Sequence, residues 1–293
     1  MEGRTSFNNG SNMKGIILAG GHGTRLYPAT ISTSKQLLPI YDKPLIFYPL
    51  VTLMEAGIRD IAIITKKKDR NDFKSLLGDG SNFGIRIQYF IQDDPRGLAE
   101  AFIITEKFIG KSDVTLILGD NIFYGESLGI LLKETFFSGA RIFCSEVQDP
   151  ERYGVLELKN NSPVSIIEKP TKFISKWAVT GLYVYDSSVI NQAKLLTPSK
   201  RGELEITDLN KKYLTKKILD AKFLDSNIVW MDTGTFDSMH EASSFVAAIQ
   251  KRQAGLIGSP ELTAYKNKWI TKSEIKKNIR YSNQYTESLL RSL

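Results

Sequence analysis

The chain has 293 residues, a hydrophobic fraction of 42% and a formal net charge of +7 at pH 7. Its longest apolar runs are of strand length, well below the roughly 20 residues that a membrane-spanning helix needs. Residues 1–12 are polar and lack the apolar core of a secretory signal, so we predict that they are a disordered extension or a tag. We expect a soluble globular protein with no membrane partner.

The charge and the cysteine content indicate which partners and which compartment to expect for this protein. The lysines are scattered and do not alternate with aromatic residues along a basic stripe, so we expect no nucleic-acid partner. The single cysteine, Cys144, has no partner for an internal disulfide and stands in an apolar run. We therefore predict that it is buried, in a protein of the reducing cytoplasm.

Apolar, β-branched runs alternate with amphipathic segments through the first half of the chain, which is typical of βαβ units around a mostly parallel sheet. The predicted strands cover residues 14–19, 61–65, 85–91, 115–118 and 141–147. The predicted helices cover residues 45–56, 71–77, 98–108 and 128–135. This pattern predicts a doubly wound, Rossmann-like α/β fold.

From about residue 153 the strands become shorter and follow one another directly. We predict strands at residues 154–159, 164–168, 179–185 and 221–224, and helices at 187–195, 206–215, 237–250 and 260–268. The pattern indicates one domain at residues 13–250, with a β-rich insertion that closes over the sheet, followed by a helical C-terminal appendage at 251–293.

A glycine-rich loop, Gly20-Gly21-His22-Gly23-Thr24-Arg25, follows the first predicted strand. Open α/β sheets bind their ligands at this end of a strand. Glycine lets backbone N–H groups approach phosphate oxygens, and Arg25 adds a permanent charge on a planar set of donors. The loop therefore predicts a polyphosphate ligand, with a tight turn without function as the alternative.

Two other phosphate-binding loops do not match this spacing. The dinucleotide fingerprint requires a third glycine where Leu26 stands. A Walker A loop requires Gly-Lys-Ser/Thr, which is absent from this segment. A Rossmann oxidoreductase and a P-loop NTPase are both disfavoured.

Together with Lys35-Gln36-Leu37-Leu38-Pro39 downstream, the loop resembles the signature of the nucleotidyltransferases that activate sugar phosphates. Ser34-Lys35-Gln36 is typical of the thymidylyltransferase branch. The resemblance continues through separate segments, in the family's order, to about Trp269. It implies a nucleotide-diphospho-sugar transferase fold, with a nucleotide half at residues 13–150 and a sugar-phosphate half at 151–235.

Two aspartates follow apolar strand-like segments. Asp120 follows Leu116-Ile117-Leu118-Gly119, and Asp232 follows Trp230-Met231. Carboxylate oxygens are the ligands that Mg²⁺ prefers, although either aspartate taken alone could be a helix cap. The resemblance implies that both bind Mg²⁺.

Further segments resemble the family's base-binding and sugar-binding regions. In the segment that begins at Gln92, the side-chain amide of Gln92 would pair with thymine or uracil through one donor and one acceptor. Tyr153-Gly154-Val155 and Ile167-Glu168-Lys169-Pro170 resemble the sugar-phosphate side. There Glu168 would accept hydrogen bonds from sugar hydroxyls, and Lys169 would bind the phosphate as a compact charge.

The resemblance thus implies four sets of site residues. They are the catalytic cations Arg25, Lys35 and Lys169; the nucleotide-binding residues Leu18, Gly20, Gly21, Gly23, Thr24, Arg25, Gln36, Gln92, Pro95 and Gly97; the sugar-phosphate-binding residues Leu98, Asp120, Tyr153, Gly154, Glu168, Lys169 and Val179; and the metal ligands Asp120 and Asp232.

The implied reaction is Mg²⁺-assisted transfer of a thymidylyl group from dTTP to glucose 1-phosphate. Two alternatives stay open: a uridylyltransferase that uses UTP, because thymine and uracil differ by one methyl group, and a non-catalytic sensor of sugar nucleotides. Residues 255–269 also resemble the long-chain thymidylyltransferases, which implies a homotetramer with a second nucleotide-sugar site for feedback. Leu262-Thr263 departs from that pattern, and simple helix packing is the alternative there.

Overall fold

The computed structural model describes residues 13–136, 138–253 and 255–293, so the predicted extension or tag at 1–12 lies outside the described residues. Its strands are β1 (Lys14–Leu18), β2 (Pro39–Ile40), β3 (Lys43–Pro44), β4 (Asp60–Thr65), β5 (Arg86–Ile91), β6 (Val114–Leu118), β7 (Asn121–Tyr124), β8 (Ala140–Glu146), β9 (Gly154–Lys159), β10 (Ser162–Glu168), β11 (Trp177–Tyr185), β12 (Leu219–Phe223) and β13 (Val229–Asp232). Its helices are α1 (Phe47–Glu55), α2 (Arg70–Leu77), α3 (Glu100–Ile104), α4 (Glu106–Ile109), α5 (Leu128–Leu132), α6 (Val189–Lys194), α7 (Ile206–Thr215), α8 (Phe236–Gln253), α9 (Pro260–Lys266), α10 (Lys272–Asn278) and α11 (Gln284–Ser292).

A nine-stranded sheet forms the centre of the protein, in the order β10-β9-β11-β6-β1-β4-β5, with β8 and β12 continuing from β11. The strands of the first half, β6, β1, β4 and β5, run parallel. Strand β1 is buried along most of its length, as expected of a parallel strand covered on both faces. The predicted α/β class with a large, mostly parallel central sheet is confirmed.

The β-rich second half extends this sheet and does not close over it as a separate layer. Strand β11 pairs antiparallel with β6, and β9 and β10 then continue the sheet outward. Eight of the nine residues of β11 are buried, as befits a strand in the middle of a sheet. Pairing with β6 satisfies backbone groups that a separate layer would leave at an open edge.

The predicted helix at residues 98–108 is two short helices, α3 and α4, which meet at Thr105. The Thr105 hydroxyl donates to the carbonyl oxygen of Ala101 at 2.6 Å. Such a bond back to the preceding turn weakens a helix.

A further difference is the two-stranded ribbon of β7 and β13, which the sequence did not predict and which pairs Asp232 with Asn121.

The end of the chain is helical, as predicted, and packs against the first half of the chain. Leu262, Ile275 and Leu289 from α9, α10 and α11 belong to the same buried cluster as α1. Thr271 and Glu274 form a reciprocal capping box at the start of α10. The domain boundary at residue 250 stays a prediction. Within the described residues, no helix is both long and apolar enough to cross a bilayer.

We predict that Tyr185→Phe destabilises the fold. The Tyr185 hydroxyl is fully buried and donates to Asn210 Oδ1 at 2.5 Å. Its removal leaves a buried acceptor without a donor, so the free energy of unfolding should fall by about 1–3 kcal/mol. Urea unfolding measures the change. Tyr281→Phe, at a side chain that is 76% exposed, is the control, and equal stability of the two variants would contradict the prediction.

Candidate active site

Two adjoining cavities lie where β1, β5 and β6 end. The wide cavity has a volume of about 640 Å³ and the narrow cavity about 160 Å³. Both are lined by Leu98, Leu118, Asp120 and Glu203. Two ligands could therefore lie end to end and meet beside Asp120.

Most of the predicted site residues line these cavities. The wide cavity contains Arg25, Leu98, Asp120, Tyr153, Gly154, Glu168, Lys169, Val179 and Asp232. The narrow cavity contains Leu18, Gly21, Lys35, Gln36, Gln92, Pro95 and Gly97, together with the shared Leu98 and Asp120. The structure thus brings Arg25, Lys169, Asp120 and Asp232 into one cleft.

Three predicted residues of the glycine-rich loop, Gly20, Gly23 and Thr24, line neither cavity. Gly20 lies against the side chain of Gln92. Gly23 adopts φ 63°, in the left-handed region that favours glycine, and Thr24 begins the short 3₁₀ turn that carries Arg25. Their positions fit a role in shaping the loop.

Asp120 is held from several sides. Its carboxylate forms an ion pair with Lys35, and Asn121 Nδ2 donates to its Oδ1 at 3.0 Å. The backbone N–H and the hydroxyl of Thr233 donate to its carbonyl oxygen at 3.0 and 2.7 Å. Burial opposes ionisation, but the charge of Lys35 outweighs it and holds the pKa of Asp120 below its usual range. Asp120 is therefore a fixed, ionised carboxylate.

Asp232 lies beside Asp120 because β13 pairs with β7. Burial, and next the charge of Asp120, raise the pKa of Asp232 above its usual value, whereas Lys35, Arg25 and Arg152 partly offset the rise. Arg152 Nη2 is 3.8 Å from Asp232 Oδ2. The positive charges nearby therefore do not fully offset the repulsion between the two carboxylates.

This donor set fits a Mg²⁺ ion. Within the described ranges, no group of three or more His, Cys, Asp and Glu side chains forms an all-protein metal cage. Mg²⁺ is commonly held by one or two carboxylates and completes its shell with water and phosphate oxygens. Asp120 and Asp232 would supply the protein ligands.

At the far end of the wide cavity, Glu168 is fixed by Thr207, whose hydroxyl donates to its Oε2 at 2.6 Å. Lys169 adopts φ 43°, a left-handed conformation that is uncommon outside glycine. Its backbone N–H donates to the carbonyl oxygen of Tyr153 at 2.9 Å. The last residue of β10 and the residue that follows it are therefore both held at the cavity wall.

In the narrow cavity, Gln92 differs from its predicted role. Its amide nitrogen donates to Glu100 Oε2 at 2.7 Å and to the carbonyl oxygen of Gly97 at 3.3 Å. Both amide N–H groups are thereby engaged inside the protein. Only the amide oxygen of Gln92 remains for a ligand.

Asn121, Arg152 and Arg201 line the wide cavity and were not among the predicted site residues. Asn121 Oδ1 accepts from Trp230 Nε1 at 2.6 Å and from the Gly181 N–H at 3.1 Å, so Asn121 joins β7, β11 and β13 behind Asp120. Arg152 and Arg201 add cations to the wide cavity. Arg152 directly precedes the segment Tyr153-Gly154-Val155, and Arg201 begins the segment Arg201-Gly202-Glu203, which also resembles the family. These segments are the signal that could have found them.

Comparison with known proteins shows the family to which the chain belongs. The family model described as nucleotidyl transferase matches residues 14–249. Glucose-1-phosphate thymidylyltransferase of Neisseria meningitidis serogroup A is 53% identical over 286 residues, which cover 96% of this chain and 99% of the relative. The enzyme of the same name from Mycobacterium tuberculosis strain H37Rv is 48% identical over 288 residues, covering 96% and 100%.

Two solved structures are similar to this protein in fold. A Bacillus anthracis protein assigned as a glucose-1-phosphate thymidylyltransferase, in complex with a sucrose, superposes with a TM-score of 0.75 and 43% identity, covering 80% of this chain and 94% of that one. A UDP-glucose pyrophosphorylase complexed with UDP-glucose gives a TM-score of 0.72 and 25% identity, covering 82% and 99%.

We predict that Asp232→Asn stabilises the metal-free protein. The pKa of Asp232 is raised in the folded state. The contribution of Asp232 to stability is therefore complete only below its ordinary pKa of about 3.9, and this contribution is lost as the pH rises through the raised value. At pH 7 the ionised side chain opposes folding, and asparagine removes that charge. The melting temperature in the presence of a chelator should therefore rise at pH 7, by less as the pH approaches 4.

Asp94→Asn, at an exposed aspartate, is the control for the loss of one negative charge. A lower melting temperature for Asp232→Asn than for the unaltered protein at pH 7, with Asp94→Asn unchanged, would show that the two carboxylates do not repel each other.

Proposed function

The chain belongs to the nucleotidyl transferase family, and on that premise we propose that it transfers a thymidylyl group from dTTP to glucose 1-phosphate, forming dTDP-glucose and pyrophosphate. The observation that carries the proposal is the single cleft in which Arg25, Lys35 and Lys169 face Asp120 and Asp232. The names of the relatives support the choice of substrates.

In this reaction a phosphate oxygen of glucose 1-phosphate attacks the α-phosphorus of dTTP. A bond forms between that oxygen and the α-phosphorus, the bond from the α-phosphorus to the bridging oxygen breaks, and pyrophosphate leaves. No protein nucleophile is needed. The task of the chain is to align two anions and offset their repulsion, which at 4 Å is about 1 kcal/mol in water and several times larger in a partly dry cleft.

The proposed roles follow the two cavities. Lys35 lines the narrow cavity and pairs with Asp120, and Arg25 lines the wide cavity. Both would stabilise charge on the transferring phosphoryl group. Lys169 would bind the phosphate of the sugar, with Arg201 nearby, and Glu168 would accept hydrogen bonds from the sugar hydroxyls. Mg²⁺, when held by Asp120 and Asp232, would neutralise phosphate charge as a Lewis acid.

The charges of the wide cavity support the need for this metal. The cations that line it are Arg25, Arg152, Lys169 and Arg201, and the carboxylates are Asp120, Glu168, Glu203, Glu205 and Asp232. The walls therefore carry no excess of positive charge with which to receive two phosphorylated substrates. A divalent cation would supply it.

UTP is the second nucleotide to consider, because the protein also resembles a UDP-glucose pyrophosphorylase in structure. Thymine and uracil differ by one methyl group, and burial of one such group contributes about 0.8 kcal/mol. We favour dTTP because of the high identity to thymidylyltransferases.

We also propose a homotetramer with a feedback site. A third cavity, of about 410 Å³, lies between α1 and the segment that leads into α9, and Leu262 and Thr263 line it. Lys133 and Lys266 line it together with Glu55 and Glu126, and the two lysines would bind an anionic effector. The cytoplasm remains the compartment that we propose, because Cys144 is buried, as predicted, and unpaired within the described residues.

We predict different kinetic defects for two cations. Lys169→Ala removes a charged contact to the sugar phosphate and should raise KM for glucose 1-phosphate by about 10-fold or more. Arg25→Ala removes stabilisation of developing charge and should lower kcat by about 100-fold. Steady-state assays of pyrophosphate release measure both. Lys172→Ala, at an exposed lysine, is the control, and equal small effects of all three changes would contradict the assignments.

We predict that kcat/KM for dTTP exceeds that for dUTP by about fourfold, as expected from one buried methyl group. The assay uses glucose 1-phosphate, both nucleotides, and Mg²⁺ or excess chelator, and chelation should abolish turnover. Absence of pyrophosphate release with either nucleotide, despite binding, would instead support a non-catalytic sensor.

A further inference from the structure

Gln92 and Glu100 form a buried pair beside the narrow cavity. Gln92 is 6% exposed and Glu100 is also 6% exposed. Gln92 Nε2 donates to Glu100 Oε2 at 2.7 Å and, more weakly, to the carbonyl oxygen of Gly97 at 3.3 Å. Gln92 lines the cavity and Glu100 does not. Glu100 thus contacts the base-facing residue from behind.

The carboxylate of Glu100 acts only as an acceptor in this position. While its Oε2 accepts from Gln92, its Oε1 lies 2.5 Å from Arg96 Nη2. An ionised carboxylate has no proton to donate. A Gln92 amide turned by 180° would lose both of its hydrogen bonds and would place its oxygen against two acceptors, Glu100 and the carbonyl of Gly97.

The amide oxygen of Gln92 is consequently the group left for a ligand. In the part of the chain that the structure describes, this oxygen accepts no hydrogen bond, and it is not among the side-chain atoms buried without a partner. It is therefore open to the cavity. Gly20 leaves room for it, because a Cβ at Gly20 would lie 3.2 Å from the oxygen.

We propose that Glu100 is a positioning residue that selects the base: it holds the Gln92 amide so that its oxygen faces the ligand, and the cavity accepts a pyrimidine that carries an N3–H and rejects cytosine. The inference rests on the proposed use of a thymine or uracil nucleotide. N3 of thymine or uracil donates to this oxygen. N3 of cytosine is an acceptor, so two acceptors would face each other without a hydrogen between them.

With Glu100 in place, the site discriminates between uracil and cytosine more strongly than Gln92 alone would. A free amide can present its nitrogen to cytosine as readily as its oxygen to uracil. With Glu100 in place, only one orientation is available, and a polar group left unpaired on desolvation disfavours the wrong base strongly. Glu100 therefore controls the selectivity through Gln92 without touching the nucleotide.

The test is Glu100→Gln, which keeps the shape of the side chain and allows it either to accept from or to donate to Gln92. Binding of dUTP and dCTP, which differ only at the base edge, is measured by titration calorimetry in parallel with turnover. The ratio of their affinities should fall by about 10-fold in the variant, mainly because dCTP binds better. Both affinities come from one preparation, so a general loss of folded protein does not change the ratio.

Glu106→Gln on α4 is the matched control, because it makes the same substitution at a half-exposed side chain that pairs with Lys194 and lines neither cavity. It should leave the ratio unchanged. Glu100→Met, which removes the acceptor, gives a second measurement and should also lower the ratio. An unchanged preference for dUTP over dCTP in both Glu100 variants would overturn the inference. Failure of the unaltered protein to prefer dUTP over dCTP would instead contradict the proposed function.

Discussion

The chemistry of the cleft depends on two carboxylates, Asp120 and Asp232, which the fold places next to each other. Asp120 follows β6 in the centre of the sheet, and Asp232 ends a strand of the ribbon that lies across it. Only Asp120 has an ion pair with Lys35, so Asp232 lies in the field of its neighbour with weaker compensation. Carboxylates with pKa values perturbed in this way cluster at functional sites. The pair is the feature that best fits binding of a divalent cation.

A hydrogen-bond network holds Asp120 in place. Asn121 donates to Asp120 and accepts from Trp230 and from the backbone of Gly181, so three strands are joined by one amide group. Thr233 adds two hydrogen bonds to the carbonyl oxygen of Asp120. Fully satisfied buried networks of this kind fix side-chain orientation. The Asp120 carboxylate is therefore positioned before any substrate arrives.

The same principle acts at both ends of the cleft. In the wide cavity, Thr207 donates to Glu168 Oε2, and Glu168 Oε1 lies 3.6 Å from Arg201 Nη2. At the nucleotide end, Glu100 accepts from Gln92 and fixes the amide. In each case a second polar side chain holds the first in one orientation. Glu100 lines neither cavity, whereas Thr207 lines the wide cavity together with Glu168.

The sequence by itself determined the local elements and the chemistry that they carry. The bounds of β9 and α7 agree with the predicted ranges 154–159 and 206–215, because the hydrophobic period and the turn residues that define them are local. The glycine-rich loop, the strand-ending Asp120 and the α/β class follow from the same kind of information, and the wide and narrow cavities collect most of the residues that the resemblance implied.

The tertiary structure alone decided which distant segments meet. The pairing of β7 with β13 places Asp232 beside Asp120, β11 joins the second half edge to edge with the first, and Glu100 turns the amide of Gln92. Strand pairing between remote segments and the orientation of an amide leave no periodic pattern in the sequence. They are set by hydrogen bonds and charges that come within range only after the chain has folded.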